Sequence, residues 1–145
     1  MKILIVGNFH HKNKEGLEAI LNKLNYQFNY GNINDIENND IIFMPSTPFD
    51  TTNFPNKLFI FGPHFSVFPD IRVNSINNVH KNCVYIQPSN WVVNLWQGLM
   101  RNLSIPLKPF PFPVNTNYFQ PDSNLIRDKV FIYYKRRNPL ELQLL

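Results

Sequence analysis

Residues 2–7, Lys2-Ile3-Leu4-Ile5-Val6-Gly7, give the clearest indication of the fold. An apolar run that is rich in β-branched residues and ends at a glycine is typical of a strand buried on both faces of a parallel sheet. Residues 15–24 then predict an amphipathic covering helix, because apolar side chains recur at helical spacing: Leu17, Ile20, Leu21 and Leu24. A buried strand followed by a covering helix opens a βαβ unit, so we expect an α/β protein.

Further strands and a second helix are predicted along the chain. The predicted strands are residues 26–33, 40–44, 57–61 and 83–86, and most of them end at a proline or a glycine. A helix is predicted over residues 91–100, with Ser89 or Asn90 as its N-cap. This alternation predicts a Rossmann-like open parallel sheet with helices on both faces, whose ligands bind beyond the carboxyl ends of the strands.

Length and composition limit the classes of function. The chain has 145 residues, the size of one ordinary domain, and a net charge of +4 without the dense Lys/Arg blocks of nucleic-acid binders. Cys83 is the only cysteine, which excludes an internal disulfide, and we expect it to be an inert core residue. We expect no metal, no cofactor and no nucleic-acid partner.

The apolar run at the start of the chain is too short for a signal peptide or a membrane-spanning helix. We therefore expect a cytoplasmic protein whose membrane contact is at most peripheral. The helix at 91–100 carries one apolar stripe, which we expect to pack against the sheet and not against a membrane. The stripe consists of Trp91, Val92, Leu95, Trp96 and Leu99.

Proline marks the predicted domain boundary. Five prolines lie within residues 106–121, and such a segment is extended and often connects domains. We expect a Rossmann-like domain over residues 1–105 and a connector over residues 106–128. Residues 129–145 then predict the start of a second domain, with a buried strand at 130–134 and the beginning of a helix.

The connector resembles a segment of a known family. Its sequence, PFPVNTNYFQP at residues 111–121, resembles the interdomain pattern P-x-G-V-D-x-x-x-F-x-P of retaining GT-B glycosyltransferases of the family 4 type, with Pro113 and Asn115 in place of the glycine and the aspartate. The segment VFIYYKRR at residues 130–137 is similar to the first strand of that family's donor domain. The segment PSNWV at residues 88–92 is similar to the start of the helix that precedes the connector.

The resemblance implies that this chain is the acceptor-side half of a GT-B enzyme, ending as the donor-binding half begins. Such an enzyme transfers a hexosyl group from a nucleotide-sugar to a sugar or a lipid-linked acceptor. The implied partners are a nucleotide-sugar donor, a glycan acceptor and a separate chain carrying the donor domain, without which this chain would be inactive. A non-catalytic Rossmann-like module that binds a glycan or a protein, or an inactive remnant, is the alternative.

Candidate site residues lie in the loops that follow predicted strands. Gly7, Asn8 and His10 follow the first strand, where polar groups can hydrogen-bond the hydroxyls of an acceptor sugar, although a plain surface loop is the alternative. His64 follows the strand at 57–61 and is the candidate catalytic residue, because imidazole donates or accepts a proton near neutral pH. A histidine hydrogen-bonded in a turn is the alternative there.

A basic segment follows the strand of the second domain. Lys135, Arg136 and Arg137 provide charge and planar guanidinium donors, which suit the diphosphate of a nucleotide-sugar. The resemblance implies the same role for them. An ordinary solvated charge run is the alternative.

Overall fold

The chain forms a six-stranded, all-parallel sheet in a computed structural model that describes residues 1–7, 11–46, 49–63, 82–99, 106–111 and 113. These residues belong to the first of the two units into which the chain divides, Met1–Asn115. The strands are β1 (Lys2–Val6), β2 (Gln27–Gly31), β3 (Ile41–Met44), β4 (Leu58–Phe61), β5 (Cys83–Gln87) and β6 (Leu107–Pro109). The helices are α1 (His11–Lys23), a 3-10 helix (Ile33–Asn38) and α2 (Asn90–Leu99).

The strands lie in the order β2-β1-β3-β4-β5-β6, and every neighbouring pair is parallel. The predicted α/β class with a Rossmann-like parallel sheet is therefore confirmed. The chain moves from β1 outward to β2, and then from β3 in the opposite direction to β6. The order of the strands thus reverses between β1 and β3.

Alternate residues of the strands supply two apolar cores, one on each side of the sheet. On the side that we call the α1 face, Leu17 and Leu21 of α1 pack on strand residues that include Ile3, Ile5 and Phe43. On the opposite face, Ile36 of the 3-10 helix packs with a second set of strand residues. That set consists of Leu4, Ile42, Met44, Phe59, Phe61, Cys83 and Tyr85.

The two α-helices lie on different sides of the sheet. Crossovers between parallel strands are almost always right-handed. The connection from β1 through α1 to β2 and the connection from β5 through α2 to β6 run in opposite directions along the sheet. A right-handed crossover therefore puts α2 on the opposite face, which agrees with the prediction of helices on both faces.

The edge strand β6 lies within the segment that we predicted as the connector. Leu107 pairs with Tyr85, and Pro109 pairs with Gln87. A proline has no backbone N–H to donate and is tolerated in a sheet mainly on an edge strand. Strand β6 is an edge strand. The first part of the proline-rich segment is therefore extended, but it belongs to the sheet of the first unit.

Two details of the helices differ from the sequence-based expectation. Helix α1 begins at His11, earlier than predicted, and Leu24 lies beyond its end with 57% of its surface exposed. In α2 only part of the predicted apolar stripe is buried, and Val93, which lies outside that stripe, is buried as well. Val92 and Val93 are buried, whereas Trp91 and Leu95 are 70% and 57% exposed, because the face of α2 toward the protein centres on the two valines.

Candidate functional site

The carboxyl ends of the strands form the edge at which parallel α/β sheets bind ligands. The crevice in such sheets lies where the strand order reverses, which here is between β1 and β3. Gly7 follows β1 at this point, and Pro45 and Ser46 follow β3. The reversal therefore places one predicted site residue, Gly7, at the position where a ligand is expected.

Gly7 ends β1 with a positive φ and an open backbone. Its backbone φ of +96° is in the region that favours glycine, and the chain uses it to turn away from β1. A Cβ atom built on Gly7 would meet nothing within 4 Å, so there is open space beside this backbone. A ligand can therefore approach the main chain closely at the end of β1.

The other predicted site residues lie outside the described residues. They are Asn8 and His10 in the first loop, His64 after β4, and Lys135, Arg136 and Arg137 near the C-terminus. Their proposed contacts to acceptor, reacting group and donor phosphates stay predictions.

The end of β4 packs closely against the end of β5. Gly62 follows β4 with a φ of +111°, and a Cβ atom at this position would collide with the carbonyl oxygen of Ile86. The amide of Gly62 donates a hydrogen bond to the carbonyl oxygen of Met44 at 3.1 Å. Glycine is required here because no larger residue fits between the two chain segments.

Sequence reasoning missed two polar side chains at β5. Gln87 ends the strand and is only 3% exposed, and Tyr85, on the same side of the strand, is 1% exposed. Burial raises the pKa of the Tyr85 hydroxyl to about 12, with a smaller contribution from the nearby Cys83. The signal in the sequence is a glutamine that follows an otherwise apolar strand and precedes Pro88.

A polar cluster joins α1 to β2 on the protein surface. The Tyr30 hydroxyl donates to the Glu18 carboxylate at 2.8 Å, and the ammonium of Lys14 lies 3.9 Å from Glu18 and 4.6 Å from the centre of the Tyr30 ring. Partial burial first, and then the hydrogen bond to Glu18, raise the pKa of Tyr30 above its ordinary value. These groups satisfy one another, so the cluster ties the helix to the edge strand.

Two cavities among the described residues lie away from the carboxyl edge. One, of about 340 Å³, lies at the amino ends of β4 and β5 and is lined by residues that include Lys57 and Asn82. The other, of about 240 Å³, is an apolar groove between α1 and the α1 face of β3, β4 and β5. The predicted residue Gly7 lines neither cavity.

Two further observations concern metals and membranes. Within the described ranges, no three His, Cys, Asp or Glu side chains gather as they do around a metal ion. No helix in that part of the chain has the length and apolar character needed to cross a membrane.

Comparison with protein-family models, with curated proteins and with solved structures finds no match for this chain.

Proposed function

We propose that this chain is the acceptor-binding half of a GT-B glycosyltransferase. The observation that carries the proposal is the reversal of strand order between β1 and β3, with Gly7 and its open backbone at that point. This is the place where an open parallel sheet binds its ligand. The connector pattern at residues 111–121 and the basic segment that ends in Arg137 support the same family.

In this proposal the acceptor sugar lies against the loops that follow β1 and β4. Asn8 and His10 hydrogen-bond acceptor hydroxyls beside the open backbone of Gly7. His64 is the group that positions the reacting hydroxyl and exchanges its proton, since imidazole titrates near neutral pH. Lys135, Arg136 and Arg137 belong to the donor side and neutralise the nucleoside diphosphate as negative charge develops on it.

The second candidate function is a non-catalytic module that binds a glycan or a protein. The exposed side chains of Trp91 and Leu95, one helical turn apart on α2, favour it. Aromatic residues in exposed positions are enriched where proteins bind partners. A binding module of this kind needs no donor domain and catalyses no transfer.

Calorimetric titration separates the two candidates. The full chain is titrated with simple glycosides, with UDP-glucose and GDP-mannose, and with the free nucleoside diphosphates. The titrations are repeated after addition of a separate polypeptide that carries a GT-B donor domain, and sugar transfer is assayed in the same samples.

The proposal predicts that the chain alone binds glycosides, and that tight donor binding and transfer require the added polypeptide. Glycoside binding that is never followed by transfer would favour the binding module. No binding of any sugar or nucleotide-sugar under either condition would contradict the glycosyltransferase proposal.

A further inference from the structure

Strand β2 is one edge of the sheet. Among the described residues it pairs with β1 alone, so the outer side of β2 has no neighbouring strand there. The backbone N–H and C=O groups on such a side can pair with a strand of another chain. Proteins that stay monomeric commonly prevent this pairing with a lysine, a proline or a bulge in the edge strand.

The two edge strands differ in this protection. Strand β6 contains the exposed Lys108, and Pro109, which has no N–H to donate. Strand β2 has the sequence QFNYG, with neither a proline nor a charged residue. It lies within residues 24–34, a run of eleven uncharged residues. The edge at β6 is therefore protected against pairing, and the edge at β2 is not.

Exposed apolar side chains are concentrated around β2. Seven large apolar side chains are exposed in the described part of the chain, and four of them lie within residues 24–33. These four are Leu24, Tyr26, Tyr30 and Ile33. Exposed apolar side chains that cluster, in contrast to single scattered ones, mark surfaces that contact other proteins. The edge at β2 therefore has apolar surface beside its open backbone.

The aromatic side chains of β2 are held in place before any partner binds. Phe28 and Tyr30 both lie on the α1 face, with their rings 6.3 Å apart in an edge-to-face arrangement. The Tyr30 hydroxyl donates to Glu18 at 2.8 Å, and the ammonium of Lys14 lies 4.6 Å from the centre of its ring. A surface that is already ordered loses little conformational entropy when it binds.

We propose that two copies of this chain pair through β2 in an antiparallel, two-fold arrangement that joins their six-stranded sheets into one. A two-fold axis at Asn29, the middle of β2, pairs all five residues of the strand. Asn29 then lies opposite Asn29 of the other copy, and Phe28 lies opposite Tyr30 of the other copy. Aromatic pairs directly opposite each other stabilise an antiparallel ladder.

A second copy fits this edge because β2 is complementary to itself. The pairing brings no like charges together, since residues 24–34 contain none. It aligns the side-chain amides of the two Asn29 residues on one face and the aromatic rings on the other. Because the strands are antiparallel, the carboxyl edges of the two copies point in opposite directions, and Gly7 stays open in each. The inference does not depend on the proposed function.

Sedimentation of the full chain over a range of concentrations tests the pairing. We expect a monomer–dimer equilibrium with a dissociation constant in the micromolar range. Asn29→Lys is expected to raise this constant by about tenfold or more, because two like charges then lie directly opposite each other. Asn53→Lys is the matched control, since it adds the same charge at an exposed position between β3 and β4 and is expected to change the constant little.

Cysteine cross-linking tests the register. Opposite residues of an antiparallel pair have Cα atoms about 4.5 to 5.5 Å apart, within reach of a disulfide. Asn29→Cys is therefore expected to give a covalent dimer under mild oxidation. Gln27→Cys is the control on the same strand, because its two copies lie four residues out of register, about 13 Å apart. The native Cys83 is 1% exposed and does not compete.

Each outcome decides the question. A dimer that Asn29→Lys weakens selectively and that Asn29→Cys cross-links supports the pairing. A wild-type chain that sediments as a monomer at about 1 mM overturns it. A dimer that both lysine variants weaken alike, or that neither weakens, also overturns it. Cross-linking of Gln27→Cys as fast as that of Asn29→Cys overturns the two-fold register at Asn29.

Discussion

At the residue scale, the glycines that follow β1 and β4 differ in the space available for a side chain. Both have positive φ, +96° at Gly7 and +111° at Gly62, so alanine is strained at either position. Only at Gly62 does a Cβ atom also collide with a neighbour, the carbonyl oxygen of Ile86. Substitutions at Gly7 and Gly62 therefore allow the cost of backbone strain to be measured separately from the cost of overpacking.

We predict that Gly7→Ala lowers the free energy of unfolding by about 1 to 2 kcal/mol, the cost of the backbone conformation alone. Gly62→Ala is expected to cost about 3 kcal/mol or more, because the collision adds the cost of overpacking. Urea unfolding of both variants measures the difference. Equal losses would show that Gly62 does not lie against the carbonyl oxygen of Ile86.

The Tyr85 hydroxyl makes stability depend on alkaline pH. Its pKa is about 12 in the folded chain and near 10 when exposed. Below pH 10 the hydroxyl is neutral in both states; between pH 10 and 12 only the unfolded chain ionises, so stability falls as pH rises. The full loss is about 2 to 3 kcal/mol, since one pKa unit corresponds to ~1.4 kcal/mol.

Urea unfolding from pH 8 to pH 12 tests this dependence. Tyr85→Phe is expected to reduce the alkaline loss and to leave a remainder from Tyr30, whose pKa is also raised. At pH 8 the two proteins should differ little. An unchanged pH profile in Tyr85→Phe would mean that Tyr85 is accessible to water in the folded chain.

At the element scale, α1 ends in a Schellman motif. Asn25 has a φ of +57°, its amide bonds to the Asn22 carbonyl at 3.1 Å, and the Tyr26 amide bonds to the Leu21 carbonyl at 3.0 Å. These bonds satisfy carbonyl groups that a helix end otherwise leaves open. The motif explains why Leu24 leaves the apolar stripe of α1.

Substitution of Asn25 tests the motif. Asn25→Gly is expected to raise the free energy of unfolding by about 0.5 to 1 kcal/mol, because glycine adopts positive φ without strain, and Asn25→Ala is expected to lower it by a similar amount. Thermal unfolding of both variants gives the comparison. Two variants with the same stability would contradict the left-handed conformation at this position.

The sequence determined most elements because their patterns are local. The strand predicted at residues 57–61 is observed at Leu58–Phe61, and the strand predicted at 83–86 is observed at Cys83–Gln87. Runs of apolar β-branched and aromatic residues between turn residues identify buried strands. Strand β6 was missed because it has three residues, one of them a proline, and only pairing with β5 makes it a strand.

The site was less accessible to sequence reasoning. Gly7 was identified because a glycine that ends a strand is a local signal. The burial of Gln87 is a property of the folded chain, and no local pattern in the sequence indicates it. In α2 the exposed Trp91 was wrongly placed on the buried stripe, because the rotation of a helix about its axis is set by tertiary packing.

At the scale of the whole first unit, the two sides of the sheet are covered differently. The opposite face carries the 3-10 helix and the aromatic side chains of Phe49 and Phe54. A right-handed crossover from β5 to β6 places α2 on that face too. On the α1 face, α1 stands beside an apolar groove of about 240 Å³. A functional ligand of the kind proposed here is polar, so it belongs at the carboxyl edge and not in this groove.

A titration of the isotopically labelled chain with methyl hexosides, followed by amide chemical shifts in NMR, tests whether this chain binds an acceptor sugar. We predict that the amides of Gly7, Ser46 and Gln87 shift together in a saturable manner, because they lie at the carboxyl edge, where we propose that the acceptor binds. Shifts confined to Asn56 and Asn82 at the opposite edge, or no saturable shift with any hexoside, would contradict an acceptor site on this chain.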